Sequence, residues 1–355
     1  MNQAALRITP ADTKASHHLL VREFNHPAAF STLSPEWDEL TSRCAAGSPF
    51  LTAGWNMLWW SHWHRDQRLK ILALYESDGT LCGIAPFCSG NAADETALML
   101  IGSADVCDYR DCIVARGAEA RFYLALTDYL MRQHSRRFML TFNSLPHHSP
   151  TFSFFSTLEQ REMFEVNIAL EDTAPFMDLP SDGEAYLHRL PPKERHEIRR
   201  KKRRAEKEGS LAFERLSDPS RVMAAMPSFL DLFRSSGDTK RSFLTPEREA
   251  FLLALAGEFS RRGWLDLYAL AVNGTPATYL LCFSYNRTLY LYNAAYDSRF
   301  AHLSPGIVAI ALCIEDAIRR GIERFEFLRG NETYKYRFGG RDRHLYTITC
   351  SHRGE

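Results

Sequence analysis

Long apolar runs are missing from this sequence: no stretch approaches the roughly 18 uninterrupted apolar residues that a membrane-crossing helix needs. The first residues, MNQAALRITPADTKASHH, lack a basic stretch followed by an apolar one, so no secretory leader is read there. Net charge is missing too. Lys plus Arg and Asp plus Glu number 43 each, which leaves the whole chain no electrostatic preference for nucleic acid or membrane. The eight cysteines form no C-x-x-C pair and sit in apolar surroundings such as Leu281-Cys282-Phe283 and Leu312-Cys313-Ile314. They read as reduced core thiols, and a cytoplasmic location is expected. His62-x-His64 and His147-His148 have no Cys or carboxylate at zinc spacing, so no metal is expected. Ser144 and Ser304 have no accompanying His and Asp pattern, which argues against a serine hydrolase.

What is present is 355 residues with 45% hydrophobic content, enough for two domains with a core each. The most informative stretch runs from Leu289 to Gly340. Ile307, Ile310, Ala311, Ile314, Ala317 and Ile318 recur at helical spacing, with Glu315, Asp316, Arg319 and Arg320 on the other face. Pro305 suits the first turn, Ser304 the N-cap, and Gly321 the stop. Leu289–Tyr296 before the helix and Arg324–Leu328 after it read as strands, followed by a polar loop, GNETYKYRFGG. Such a strand, helix, strand unit joins parallel neighbours, and ligands favour the carboxyl ends of its strands. The helix start presents unpaired N–H groups at Gly306, Ile307 and Val308, a candidate cradle for the phosphates of a cofactor.

The same plan occurs twice. Lys70–Phe87 and Leu267–Phe283 are hairpins turning at Asp78-Gly79 and Asn273-Gly274. After the first come expected strands at Ala97–Gly102 and Asp111–Ala115, a helix at Ala118–His134 and a strand at Arg137–Phe142. Helices at Pro35–Arg43 and Ala53–His64 lead into the first hairpin, and Pro219–Ser235 and Pro246–Arg262 into the second. Two unrelated α/β segments sharing a common turn would give a similar pattern. Trp55, Trp59, Trp60 and Trp63 recur at helical spacing and read as core, or as the wall of a cleft. Between the halves, Lys193–Lys207 carries nine Lys or Arg against three Glu, after Pro191-Pro192 and before Gly209. It reads as a basic helix at a domain junction, either a solvated linker or an arm for a polyanion such as tRNA.

The segments SPFLTAGWNMLWWSHW (48–63), LKILALYESDGTLCGIAPF, CDYRDCIV (107–114), PPKERHEIRRKKRRAEKEG and GNETYKYRFGG together resemble the acetyltransferases of the cellulose-biosynthesis CelD, or BioF2-like, type. That group is similar to the FemAB aminoacyl-tRNA-dependent peptidoglycan ligases. The resemblance runs from about residue 30 to residue 350. It implies an α/β fold of two tandem GNAT-like domains, each a mixed sheet flanked by helices, with residues 1–180 on the acceptor side and 181–355 on the acyl-donor side. It further implies acyl transfer, with an acyl-CoA such as acetyl-CoA as donor and an amine or hydroxyl of a saccharide or cell-envelope precursor as acceptor.

The resemblance also implies site residues. Simple GNAT enzymes carry a Q/R-x-x-G-x-G/A loop; Arg299 to Gly306 keeps one glycine, with Ser304, Gly306 and Ile307 as the phosphate candidates. FemAB proteins share this degeneracy and use aminoacyl-tRNA, which keeps that donor open, and a non-catalytic binding subunit in exopolysaccharide synthesis is a further alternative. By the same resemblance Lys335 would stabilise charge at the reacting carbonyl and Tyr334 would line the acyl channel, with Glu332 and Arg337 at the substrate. In the first half, Asp108 would orient or deprotonate the acceptor with Tyr109 as its partner, and Arg110 and Asp111 would bind substrate. Asp at a strand end also serves as an ordinary turn residue.

Overall fold

The computed structural model describes residues 19–91, 94–103, 105–133, 138–158 and 164–352. The expectation that the first eighteen residues hold no leader, and the expected element ends at His134 and Arg137, fall outside these. The chain divides into two compact units: the described residues up to Asp172 together with His344–His352, and Thr173–Arg343. The sequence places the cut at 180/181 and leaves the C-terminus in the second half. The structure moves that cut and returns the last strand to the first unit. The reason is pairing: His344–His352 lies antiparallel to Met139–Pro146, with Ile348 opposite Phe142, and buries Leu345, Ile348 and Cys350 completely.

In the first unit eight strands form one sheet in the order Leu20–Phe24, Leu69–Tyr75, Leu81–Asn91, Asp94–Leu100, Met139–Pro146, His344–His352 and Phe164–Thr173, with Ile113–Val114 beside Leu81–Asn91. Only Asp94–Leu100 and Met139–Pro146 have a parallel register among the pairings described here. A parallel pair needs a crossover, which the helix Glu119–Gln133 supplies. Its buried face of Phe122, Tyr123, Leu126 and Leu130 packs with Phe154 and Phe155 of the helix Pro150–Leu158 against Leu72, Phe87, Leu140 and Phe142 of the sheet.

The second unit repeats the plan. Its six strands run Phe176–Asp178, Arg324–Glu326, Thr288–Tyr296, Thr275–Tyr285, Leu265–Val272 and Leu211–Leu216. Here too a meander of three antiparallel strands is followed by a crossover helix, Pro305–Arg319, and a parallel strand. The hairpin between Leu265–Val272 and Thr275–Tyr285 turns with Asn273 at φ 50° and Gly274 at φ 77°, the two left-handed residues of a tight hairpin. Val308, Ala311, Ile314 and Ala317 of the crossover helix pack on Leu270, Leu280, Leu289 and Phe325. The basic segment forms the helix Pro192–Glu208, seated by buried Ile198 and Ala205 and tied to the crossover helix by Lys202 and Glu315 at 3.0 Å.

Three local expectations change. The first helix starts at Ala28, with Pro35 inside it. The strand expected at Asp111–Ala115 shrinks to Ile113–Val114, because only Gly83 and Ile84 are there to pair with it. GNETYKYRFGG contains a short helix, Thr333–Arg337, wound around the buried side chain of Lys335. All eight cysteines are buried thiols, and Trp55, Trp59 and Trp60 are core. No helix among the described residues is long and apolar enough to cross a membrane.

Candidate active site

The parallel pair in the second unit is short. Thr288, Leu289 and Tyr290 face Arg324, Phe325 and Glu326, after which Thr288–Tyr296 continues for six residues beyond the end of that pairing. Its other edge stays paired with Thr275–Tyr285, but the register slips: Leu281 faces Asn293 while Cys282 faces Leu291, so Tyr292 is the extra residue of a β-bulge. The Asp297 N–H bonds the Ala277 carbonyl at 2.9 Å. Hydrogen-bonded pairs alternate in an antiparallel ladder, so Asn293 and Ala295 turn their polar groups inward while Ala294 and Tyr296 turn theirs to the open edge.

Two side chains meet that edge. Ser236 Oγ accepts from the Tyr296 N–H at 2.9 Å, and its single proton faces the carbonyls of Leu232 at 2.6 Å and Tyr296 at 2.9 Å. Lys240 Nζ donates to the Ala294 carbonyl and lies 5.1 Å from the Phe233 ring centroid and 5.6 Å from that of Tyr296. Burial holds the Lys240 amine below the usual lysine range. At the base of the open edge Glu326 accepts from Arg343 at 2.7 Å, both nearly sealed from solvent. Burial, with the Glu326 charge behind it, pushes the adjacent Tyr290 hydroxyl well above its ordinary value.

The helix start beside this edge differs from the expected cradle. Ser304 sits at the N-cap position but in the left-handed region, φ 54°, and its side chain makes no capping bond. The N–H groups of Ile307 and Val308 turn back onto the Ser304 carbonyl at 3.0 and 3.2 Å. Pro305 has no N–H, so Gly306 supplies the remaining donor of this turn. Ile307 packs against the core of the unit.

Lys335, expected to stabilise charge at the reacting carbonyl, is buried. Its Nζ donates to the carbonyls of Leu328 (2.9 Å), Arg329 (2.6 Å) and Gly330 (3.0 Å) and lies 2.9 Å from Glu332 Oε2. An ammonium has three protons, and these partners take them. Leu328 and Gly330 both have positive φ, 60° and 104°, so the lysine pins a tightly bent loop. Tyr334 packs edge-on to Phe327, centroids 6.5 Å apart, and burial raises its hydroxyl well above the tyrosine range. Arg337 and Glu332 are exposed.

In the first unit the four residues from Asp108 to Arg110 and Asp111 separate by environment. Asp108 is half-buried and Tyr109 is buried, its ring edge-on to Phe50 with centroids 5.9 Å apart. Arg110 donates to the Gly102 carbonyl at 2.9 Å and reaches Ser144 Oγ at 3.4 Å. Asp111 is sealed in the core. Its Oδ1 accepts from Thr151, whose hydroxyl lies 2.6 Å from the Tyr123 hydroxyl, while its Oδ2 has no hydrogen-bond partner among the described residues. Burial pushes its carboxyl up to about 7, against the pull of the Thr151 hydroxyl. Arg110 and Asp111 are thus wall and core rather than an open substrate surface. A cavity of about 420 Å³ elsewhere in this unit, beside Trp60, His64 and Lys70, takes in none of the proposed site residues.

Glu332, Tyr334 and Lys335 therefore come together, Ser304 to Ile307 begin a separate helix, and Asp108 to Asp111 belong to the other unit. Reading the sequence missed Ser236, Lys240, the bulge at Tyr292 and the Glu326–Arg343 pair. The one available signal was Ser235-Ser236-Gly237-Asp238, a helix break between two helical runs.

Sequence and fold comparisons agree with this architecture. Residues 192–336 match the family described as acetyltransferase (GNAT) domain. No curated protein sequence matches the chain. The crystal structure of FemX superposes with a TM-score of 0.63 at 11% identity, covering 92% of this chain and 96% of FemX. The L-PGS of Bacillus licheniformis gives 0.54 at 12% identity over 88% and 90% of the two chains. The C-terminal domain of a provisionally assigned lysylphosphatidylglycerol synthetase from Agrobacterium fabrum gives 0.56 at 9% over 90% and 92%. At such identities the likeness establishes the fold: two tandem GNAT-like domains. The stretch that matches the GNAT acetyltransferase domain, 192–336, lies within the second unit.

Two outcomes follow from this geometry. Lys335→Met leaves three carbonyls without their shared donor and should cost about 2 kcal/mol or more in urea unfolding; an unchanged midpoint would return Lys335 to the charge-stabilising role. Asp111 binds its proton more tightly folded than unfolded, so stability should fall as pH rises from the ordinary carboxyl value of 3.8 to about 7. The loss is up to about 4 kcal/mol, and Asp111→Asn, which mimics the protonated acid, should remove it from a melting-temperature series against pH.

Proposed function

We propose that this chain transfers an acyl group, acetyl in the first instance, from an acyl-CoA to an amine or hydroxyl group of a saccharide or cell-envelope precursor. The observation that carries the reading is the open edge from Leu291 to Tyr296, bulged at Tyr292 and lying beyond the end of the parallel pairing. The pantetheine arm of coenzyme A is an extended chain with two amides, so it can add to an open strand edge as a peptide does. A bulge takes a residue out of its ladder, and a backbone N–H released in this way is the type of donor that stabilises a developing oxyanion. The Gly306 N–H and the positive end of the helix Pro305–Arg319 would attract the pyrophosphate. In the first unit half-buried Asp108 is the candidate for orienting the acceptor, with Tyr109 as its wall.

A specific observation favours a second donor, aminoacyl-tRNA. Lys193, Arg200, Arg203, Arg204 and Lys207 form one exposed stripe of the helix Pro192–Glu208, opposite the buried Ile198 and Ala205. Of these, Arg200 pairs with Glu197 on the same helix at 2.7 Å.

Calorimetric titration with acetyl-CoA, run beside tRNA retention at several salt concentrations, separates the donors. Binding of acetyl-CoA in the micromolar range is expected, with tRNA retention unchanged when Arg200, Arg203, Arg204 and Lys207 become Gln. No heat at millimolar acetyl-CoA, together with a salt slope that flattens by roughly 3 in the quadruple variant, would transfer the reading to aminoacyl-tRNA.

A further inference from the structure

Lys240 stands on the short helix Asp238–Phe243, which follows the left-turning Gly237 at the end of the helix Pro219–Ser235. Its surroundings differ from those of three other lysines. Lys70, Lys202 and Lys335 each hold a carboxylate, Glu23, Glu315 and Glu332. Lys240 has no carboxylate within 4.0 Å among the described residues; its partners are one backbone carbonyl and the faces of Phe233 and Tyr296. The nearby charges are occupied with one another. On its own helix Asp238 pairs with Arg241 at 3.1 Å, and on the preceding helix Arg234 pairs with Asp231 at 2.9 Å and with Glu249 at 2.8 Å. Tyr296 is a titratable group whose ring lies against it.

The position matters as much as the surroundings. The carbonyl that Lys240 meets belongs to Ala294, on the open edge and two residues from the bulge, roughly 7 Å along the strand. Acyl transfer to an amine or hydroxyl needs a group that takes the nucleophile's proton as the new bond forms. Lys335 is held by three carbonyls and Glu332, and Asp111 is sealed in the other unit. Lys240 is a partly buried amine at the donor edge with no counter-ion to keep it charged.

We propose that Lys240 is the proton acceptor for the incoming nucleophile at this site, an assignment that rests on the acyl-transfer reading above. As the nucleophile's nitrogen or oxygen bonds to the thioester carbonyl carbon, its proton passes to Nζ. When the carbon–sulfur bond breaks, the electron pair leaves with sulfur and the Lys240 ammonium returns a proton to it. The free thiol departs, the amine is regenerated, and no further reactant is consumed. The contact with the Ala294 carbonyl aims Nζ along the edge, and the two ring faces accept it as amine or as ammonium.

The test is competitive labelling of the intact protein with trace acetic anhydride over a pH series, with each lysine followed by mass spectrometry and acetyl-CoA binding measured by calorimetry on the same samples. Lys240 is expected to label with a midpoint below that of exposed Lys193. At ten times its dissociation constant acetyl-CoA should slow Lys240 labelling about ten-fold while leaving Lys193 unchanged. A midpoint equal to that of Lys193 overturns the proposal, as does acetyl-CoA binding without protection of Lys240. Absence of acetyl-CoA binding overturns the acyl-CoA reading itself, and the proposal with it.

Discussion

The second unit is organised by a parallel pairing that stops after three residues. Thr288–Tyr290 and Arg324–Glu326 stay in register because the crossover helix Pro305–Arg319 returns the chain to the same sheet with its apolar face on Leu289 and Phe325. Beyond Tyr290 the longer strand continues while its neighbour turns into the bent loop at Leu328 to Gly330. The bulge at Tyr292 adds local twist just after the pairing ends. A strand edge left open inside a domain is costly unless its polar groups find partners. Ser236 serves Tyr296 and Lys240 serves Ala294, while the stretch around the bulge is the part we propose for the donor.

The buried polar groups divide by how fully they are satisfied. Glu326 and Arg343 neutralise each other in the core, and Lys335 spends its charge on three carbonyls, so both fix the walls of the open edge. Asp111 is tied at one oxygen and left open at the other, and it carries its burial as a raised pKa. Lys240 meets one backbone carbonyl and no carboxylate among the described residues, which is why proton transfer is assigned to it and loop support to Lys335.

Much of this architecture was legible in the residues. The isoleucine and alanine spacing of the helix Pro305–Arg319, the Asn273-Gly274 turn and the duplicated meander are local patterns, and local periodicity survives folding. The C-terminal strand was not legible, because Leu345 and Ile348 pair with residues about two hundred positions earlier and no local pattern specifies that partner. The site was read less well than the fold. Lys335 stood out by motif, yet its partners are backbone carbonyls, which carry no sequence signature; Ile307 stood out as a donor, yet its N–H is taken by Ser304. Lys240 and the Tyr292 bulge gave no signal, since one depends on two aromatic rings brought in from separate elements and the other on a slipped register.

The central claim is that the part of the edge around the bulge, within Leu291–Tyr296, receives the extended arm of an acyl donor. Amide hydrogen exchange followed by mass spectrometry, with and without saturating acetyl-CoA, tests it directly. The account predicts slowed exchange in the peptide spanning 291–296, with no change in the equivalent strand Asp94–Leu100 of the first unit. Acetyl-CoA that binds but leaves 291–296 exchanging at its original rate would contradict it.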